Sequence, residues 1–158
     1  HKTHKLSSVG LRFFNVYGPR QDPSSPYSGV ISIFIDRILN KQSVTINGGY
    51  QTRDFVYVGD VVESIYRSLL LATQTSLCEQ VNVLTGRSIS IDQLADLLMN
   101  ILKVDLVKQY KQLPMGDPEE SRGTVSKLEH LLNIDLTTFK TLEEGLVDTI
   151  EFIRNESA

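Results

Sequence analysis

The stretch that decides the fold class lies near the amino terminus and reads Val9-Gly10-Leu11-Arg12-Phe13-Phe14-Asn15-Val16, followed directly by Tyr17-Gly18-Pro19. A short apolar and aromatic run that ends at a Gly-Pro pair is typical of a buried strand leading into a turn. After a polar loop, apolar residues recur from Gly29 to Asn40 at the spacing of one helix face, which predicts an amphipathic helix. A buried strand followed by such a helix favours an α/β fold.

The same alternation continues to the carboxy terminus, without a repeat of fixed period. We predict strands at residues 44–46, 54–58, 79–84 and 104–110, and helices that open at the capping-box patterns Asp60-x-x-Glu63 and Ser90-x-x-Gln93 or lie near residues 125–132 and 142–154. The 158 residues, of which 41% are hydrophobic, suffice for one domain-sized core.

Composition and charge argue against several classes of partner. The net charge is −3, from 16 basic and 19 acidic residues, and gives no reason to expect nucleic acid or an anionic membrane. No run of 18 apolar residues occurs, so we expect no membrane span and a cytoplasmic protein. The lone Cys78 is predicted to be a buried small hydrophobe. The three histidines lack the spacing of metal ligands, and no metal site is predicted.

Two polar side chains are candidates for contact with a phosphorylated ligand. Arg53 follows the glycine turn Gly48-Gly49, and its planar guanidinium suits a bidentate contact with pyrophosphate oxygens. The alternative is an ordinary surface salt bridge. Asn15 stands at the carboxyl end of the first strand, where open α/β sheets bind ligands. The alternative for Asn15 is a cap on its own turn.

Two loop segments carry weaker signals of the same kind. Ser28-Gly29-Val30 begins a helix, whose unpaired N–H groups favour an anionic or carbonyl-bearing partner. Met115-Gly116-Asp117 places a carboxylate in a loop, where it can accept hydrogen bonds from sugar hydroxyls. The alternative is that Asp117 is solvated or caps a turn.

Motifs for catalysis and for dinucleotide binding are absent from the sequence. The ten glycines contain no Gly-x-Gly-x-x-Gly pattern, and none of the six tyrosines is followed four residues later by lysine. A Gly-x-Ser-x-Gly elbow and a phosphate-binding Gly-Lys-Ser/Thr loop are absent too. We therefore predict no catalytic residue in the chain. Because the sequence also starts without methionine and soon enters a strand, we expect the amino-terminal portion of a longer protein to be missing. The alternative is an ordinary start whose methionine and tag were removed.

Two strings together identify a family resemblance. Leu11-Arg12-Phe13-Phe14-Asn15-Val16-Tyr17-Gly18-Pro19-Arg20-Gln21 and Arg53-Asp54-Phe55-Val56-Tyr57-Val58-Gly59-Asp60-Val61 resemble the extended short-chain dehydrogenase/reductases of the NAD-dependent epimerase/dehydratase family. The branch they resemble most is the UDP-glucose or UDP-N-acetylglucosamine 4-epimerases. The resemblance implies the carboxy-terminal part of an extended Rossmann-type fold, with the mixed small sheet and helices of a substrate-binding domain. Residues 1–22 would be the last piece of the NAD-binding domain and residues 23–158 the nucleotide-sugar-binding domain.

The resemblance also implies roles for residues around the diphosphate. Phe13 matches a position beside the nicotinamide of NAD, most of which the missing portion would bind. Asn15 matches a residue that reaches the phosphates of the sugar nucleotide, and Arg53 matches the arginine that clamps them. Gly29 and Val30 match a helix start whose backbone approaches the diphosphate and the uridine.

The remaining matches concern the nucleoside. Thr45 and Asn47 match a strand whose backbone brackets the uracil ring, and Asp117 matches an aspartate near the ribose. One departure stands out, because the family usually has an arginine shortly before the Gly-Asp pair, whereas this chain has Leu113-Pro114-Met115. One phosphate or ribose contact of the family therefore has no counterpart at that place.

The function implied by the resemblance is that of an NAD-dependent nucleotide-sugar 4-epimerase of carbohydrate metabolism or polysaccharide biosynthesis. Its substrate would be a UDP-sugar, the parent protein would be a homodimer, and the chain alone would be inactive. The loop at residues 23–27 favours the epimerases over the dTDP-glucose dehydratases. A nucleotide-sugar dehydratase, a UDP-glucuronate decarboxylase and a noncatalytic nucleotide-sugar-binding module are the alternatives.

Overall fold

The computed structural model describes residues 1–22, 24–25 and 29–156. In chain order the elements are β1 Ser8–Phe13, β2 Asn15–Tyr17, α1 Val30–Leu39, β3 Val44–Asn47, β4 Thr52–Tyr57, α2 Val58–Gln74, β5 Cys78–Val83, β6 Ser88–Ser90, α3 Ile91–Leu102, β7 Lys108–Lys111, α4 Ser126–His130 and α5 Leu142–Glu156, with a 3-10 turn at Leu136–Thr138. Strands and helices alternate as predicted, and the short strand β6 is an addition.

The strands form three small sheets. β1 pairs with β5 and β3 pairs with β7, both in parallel, while β4 lies between the parallel strand β2 and the antiparallel strand β6. The single strand predicted from Val9 to Val16 is therefore wrong in one respect, because the chain leaves the first sheet at Phe14 and enters the second at Asn15. The Phe14 N–H still donates to the carbonyl of Val83 at the end of β5, at 3.0 Å.

The pairing of β1 with β5 bears on the domain division. Residues 78–83 lie in the same sheet as residues 8–13. The division into residues 1–22 and 23–158 stays a prediction, and the strand at residues 78–83 belongs spatially with the first piece.

Two apolar clusters form the core, and β4 lies between them. Phe55 packs in the cluster around α1, α3 and α5, whereas Val56 packs with Val81 of β5 and Leu128 of α4. Successive side chains of a strand point to opposite faces, so one strand supplies a residue to each cluster. β4 is thereby fixed on both faces, and it holds the motif at residues 53–55 rigidly.

One of the two predicted capping boxes is confirmed. The Gln93 N–H donates to Ser90 Oγ and the Ser90 N–H donates to Gln93 Oε1, both at 3.1 Å. The box at Asp60 is wrong, since α2 begins two residues earlier, at Val58. The Asp60 carboxylate instead accepts the backbone N–H of Lys140 at 3.1 Å and so holds the residues that lead into α5.

The lone cysteine and the lengths of the helices bear on two expectations from composition. Cys78 is exposed rather than buried, because it stands at the first position of β5 and belongs to neither apolar cluster. Among the helices that the structure describes, none combines the length and the apolar character needed to span a bilayer.

Gly145, in α5, fills a position where a larger residue should not fit. A Cβ at this position would lie 2.2 Å from the hydroxyl oxygen and 2.9 Å from Cζ of the buried Tyr17. Alanine ordinarily gains about 1 kcal/mol over glycine within a helix, but overpacking a filled core costs about 1–3 kcal/mol. Because this contact is so short, we expect the cost of overpacking to exceed the gain in helix propensity. Gly145→Ala should therefore lower the free energy of unfolding, as measured by urea denaturation.

Gly10 provides the control for this substitution. A Cβ on Gly10 would meet no atom closer than 3.8 Å. Gly10→Ala should therefore leave stability unchanged or raise it slightly, because alanine reduces the entropy of the unfolded chain. A Gly145→Ala protein as stable as Gly10→Ala would show that Tyr17 moves aside at no cost.

Candidate functional site

A polar cavity of about 600 Å³ opens between β2, β3, β4, α1 and the segment after β7. Six of the eight residues to which the sequence assigned roles line it, namely Asn15, Val30, Thr45, Asn47, Arg53 and Asp117. Gly29 lines an adjoining cavity of about 220 Å³, which shares Asn15 and Val30 with the first. Phe13 is not among the lining residues of either cavity and ends β1 with 48% of its surface exposed.

Arg53, in β4, presents its guanidinium to the cavity. Nη1 donates to the carbonyls of Thr52 and Pro118, each at 2.8 Å. Arg53 forms no ion pair with any carboxylate of the described residues, so the surface-salt-bridge alternative is wrong. A guanidinium has five N–H donors. Those on Nε and Nη2 have no acceptor within the described part of the chain and can serve a ligand.

Asn15 lies beside Arg53, because β2 pairs with β4 in the register Asn15 to Phe55. Its Nδ2 donates to the carbonyl of Asp54 at 2.9 Å. The side chain therefore does not cap its own turn, as the alternative proposed. An amide nitrogen carries two N–H groups, so one donor remains for an oxygen in the cavity.

Thr45 and Asn47 reach the cavity through the alternation of β3. Val44 and Ile46 are fully buried in the core, which directs the two intervening residues to the opposite face. The turn after β3 is held by Gln51, a cavity residue that the sequence did not reveal. Its Nε2 donates to the carbonyl of Asn47 at 2.5 Å.

Asp117 is brought to the cavity by a segment that runs beside β4. The Thr52 N–H donates to the carbonyl of Glu119 at 2.9 Å, and Arg53 holds the carbonyl of Pro118. Gly116 has a φ of +93°, a conformation that favours glycine and turns the chain immediately before Asp117. The Met115-Gly116-Asp117 loop is therefore fixed by the same residue, Arg53, that faces the ligand space.

The helix start at Gly29 partly fits its prediction. Gly29 is the N-cap of α1, and no side chain of the described residues caps the first turn. The N–H groups of that turn are therefore available to an anion. Ser28 and the loop positions 23, 26 and 27, on which the preference for epimerases over dehydratases depends, lie outside the described residues.

The charges around the cavity favour an anionic ligand. Arg37, Arg53 and Lys111 line it, against the single carboxylate of Asp117. None of the three cations forms an ion pair within residues 1–22, 24–25 and 29–156, although the whole chain carries a net charge of −3. A ligand with about two negative charges would balance this excess of positive charge.

Asp54, next to Arg53, has a structural part in the site. It is 1% exposed and accepts the backbone N–H of Thr85 at 2.8 Å and the Thr85 hydroxyl at 3.0 Å. Burial raises the pKa of this carboxyl. The contact ties β4 to the turn after β5 and so fixes the strand that carries Arg53.

The chain is similar to known proteins of one family. The model of the NAD dependent epimerase/dehydratase family matches residues 1–83. A Methanocaldococcus jannaschii protein assigned as a UDP-glucose 4-epimerase is 49% identical over 151 residues, which are 93% of this chain and 46% of that protein. UDP-glucuronic acid decarboxylase 6 of Arabidopsis thaliana is 31% identical over 148 residues, 92% of this chain and 40% of the decarboxylase.

A solved structure extends the similarity to the fold. The UDP-glucose 4-epimerase of Thermotoga maritima with UDP-glucose superposes with a TM-score of 0.84 at 37% identity, over 99% of this chain and 49% of that one. The chain thus spans about half the length of the proteins it matches. The predicted fold class, part of an extended Rossmann-type fold, is confirmed, and NAD is the cofactor of the family. The chain belongs to the NAD dependent epimerase/dehydratase family.

Proposed function

We propose that this chain is the substrate-binding portion of an NAD-dependent nucleotide-sugar epimerase of the UDP-glucose or UDP-N-acetylglucosamine 4-epimerase type. The cavity would anchor the diphosphate of the UDP-sugar. One observation carries the proposal: Arg53, with donors to spare, and Asn15 face the same cavity, in which cations outnumber carboxylates.

Each assigned residue has a place in this proposal. The diphosphate would lie against Arg53, Asn15 and the first turn of α1, which no described side chain caps. N–H groups there can donate charge-assisted hydrogen bonds to phosphate oxygens. Thr45 and Asn47, on the exposed face of β3, would flank the uracil through their backbone. Asp117 would accept hydrogen bonds from the ribose hydroxyls.

The role of the chain in the reaction would be to hold the nucleotide firmly and the hexose loosely. In a 4-epimerase, a 4-keto sugar turns about its pyrophosphate so that its other face is presented for reduction. Such a turn needs a fixed anchor and few fixed sugar contacts. The residues of this cavity supply the anchor.

The cofactor would contact this chain at one proposed position. NAD supplies hydride acceptance and return when it is bound. Phe13 is half-exposed at the carboxyl end of β1, so its ring is accessible to a nicotinamide. The sequence has no Gly-x-Gly-x-x-Gly turn for the dinucleotide pyrophosphate and no Tyr-x-x-x-Lys pair. We propose that other residues of a longer protein hold most of NAD and act on the sugar hydroxyl.

Titration calorimetry tests the anchor directly. UDP and UDP-glucose should bind the chain, while uridine, which has no phosphate, should bind more weakly. Raising the salt concentration should weaken the binding of UDP more than that of uridine, because salt screens the attraction between exposed charges. Equal affinities for UDP and uridine would contradict a diphosphate anchor.

The Arabidopsis relative favours a second candidate, a UDP-glucuronate decarboxylase. The full-length protein should be given UDP-glucose, UDP-N-acetylglucosamine and UDP-glucuronate in parallel. Epimerised products of the first two support the proposal, whereas loss of carbon dioxide from the third supports the decarboxylase. A dehydratase would give a product one water lighter.

A noncatalytic binding module is the candidate from another class. If the gene encodes no glycine-rich strand-turn-helix and no Tyr-x-x-x-Lys upstream of these residues, the module is the better description. We expect the purified chain to show no NAD-dependent turnover. Any epimerisation by the chain alone would refute the proposal that other residues hold NAD and act on the sugar hydroxyl. The homodimeric state and the cytoplasmic location stay predictions.

A further inference from the structure

The cavity contains a cation at a place that the family resemblance does not indicate. The arginine expected shortly before Gly116-Asp117 is absent, and Met115, the nearest residue to that pair, is fully exposed and does not line the cavity. Lys111 does line it, six residues before Asp117.

The backbone of Lys111 is fixed on the cavity side. Lys111 ends β7, where it pairs in register with Asn47 of β3. Its carbonyl accepts the N–H of Gly48 at 2.8 Å, so the turn after β3 also holds it. The Lys111 side chain is exposed, but its backbone is fixed opposite Asn47, a residue that we place at the uracil.

The other lysine of β7 shows what a structural role looks like in this strand. Lys108 pairs with Asp92 at 3.0 Å and with Asp96 at 2.6 Å, both on α3. Residues three apart in a strand point to opposite faces. Lys111 forms no ion pair with any described carboxylate, Asp117 of the same cavity included. Its ammonium is thus free to meet an anion in the cavity.

We propose that Lys111 is a ligand-binding residue that contacts the diphosphate through its ammonium, in a cavity where the arginine that the family has before Gly116-Asp117 has no counterpart. The inference rests on the proposed function, because it requires a diphosphate in the cavity. An ammonium is a compact point charge on a flexible stem, whereas a guanidinium is a rigid fork. The contact therefore depends on charge rather than on bidentate geometry, and arginine at position 111 can replace lysine.

Charge removal at position 111 tests this assignment. Lys111→Met should weaken the binding of UDP about tenfold at low ionic strength, since it removes one charge-assisted contact from a solvent-exposed position. Lys111→Arg should keep the affinity within about twofold, because the charge stays. Uridine should bind all three proteins equally. Isothermal titration calorimetry on the purified chain measures each value.

Lys127→Met is the matched control. It removes the same charge from an exposed side chain that pairs with Glu79, away from the cavity. Its affinity for UDP should equal that of the unsubstituted chain. Thermal unfolding without ligand should be the same for Lys111→Met and the unsubstituted chain, because the exposed side chain has no ion-pair partner to lose within residues 1–22, 24–25 and 29–156.

The outcomes separate this inference from the proposed function. If Arg53→Ala weakens UDP binding and Lys111→Met does not, the assignment of Lys111 is overturned and the diphosphate anchor stands. If neither substitution changes the affinity for UDP, both the assignment of Lys111 and the proposed function are wrong. An effect of Lys111→Met confined to UDP-glucuronate would place the contact at the sugar carboxylate and would also overturn the assignment.

Discussion

Replacement of Arg53 by alanine should weaken UDP binding about 30-fold, equivalent to about 2 kcal/mol for a charge-assisted contact that is lost. The loss should exceed that at Lys111, because Arg53 is partly buried and two carbonyls hold its guanidinium in place. Little side-chain freedom is therefore lost when the ligand binds. Calorimetric titration with UDP measures the effect, and uridine should respond much less.

The controls for Arg53 separate position from charge. Arg87→Ala removes an exposed arginine that lines a different cavity, so its affinity for UDP should be unchanged. Arg53→Lys keeps the charge but loses the fork, so its affinity should fall between those of the unsubstituted chain and Arg53→Ala. If Arg53→Ala and Arg87→Ala bind UDP equally well, Arg53 has no part in the anchor.

Replacement of Asp54 by alanine should lower the free energy of unfolding by about 3 kcal/mol, because it leaves buried donors without an acceptor. The backbone N–H and the hydroxyl of Thr85 both depend on this carboxylate. Urea denaturation measures the loss. Asp105→Ala, at an exposed aspartate, should change the stability by no more than about 0.5 kcal/mol.

The pH dependence of the Asp54 variants follows from the direction of the shift. Burial raises the pKa of Asp54 in the folded protein above its ordinary value of 3.8, so the folded state binds this proton more tightly than the unfolded chain. The contribution of this group to stability is fully present below 3.8 and falls as the pH rises through the raised pKa. Asp54→Ala should lack that decline, and an unchanged pH profile would contradict the shift.

Much of the fold was predictable because its signals are local. The Ser90-Gln93 box and the apolar face of α1 each depend on residues within a few positions of one another, and both are confirmed. The break at Phe14 was not predictable, because it depends on which distant strands pair on either side. The start of α2 was missed for a related reason, since Asp60 is engaged by Lys140, far away in sequence.

The residues of the candidate site also fall into those with a local sequence signal and those whose position depends on distant strand pairing. The strings at residues 11–21 and 53–61 indicated residues that do share a cavity, because strand pairing places Asn15 beside β4. Arg37 had a readable signal, as it follows Val30 and Phe34 on one face of α1 at helical spacing. Lys111 and Gln51 had none, because their positions depend on the pairing of β3 with β7 and on the turn between β3 and β4.

The position of β4 between the two apolar clusters limits how this protein can change its ligand preference. Four consecutive residues serve four different neighbours: Arg53 the cavity, Asp54 the turn at Thr85, Phe55 one cluster and Val56 the other. A substitution in this strand therefore disturbs the packing of the core together with the shape of the cavity. Lys111 differs from these residues, because it is exposed at the end of a strand, and a substitution there can change the charge of the cavity without disturbing the interior.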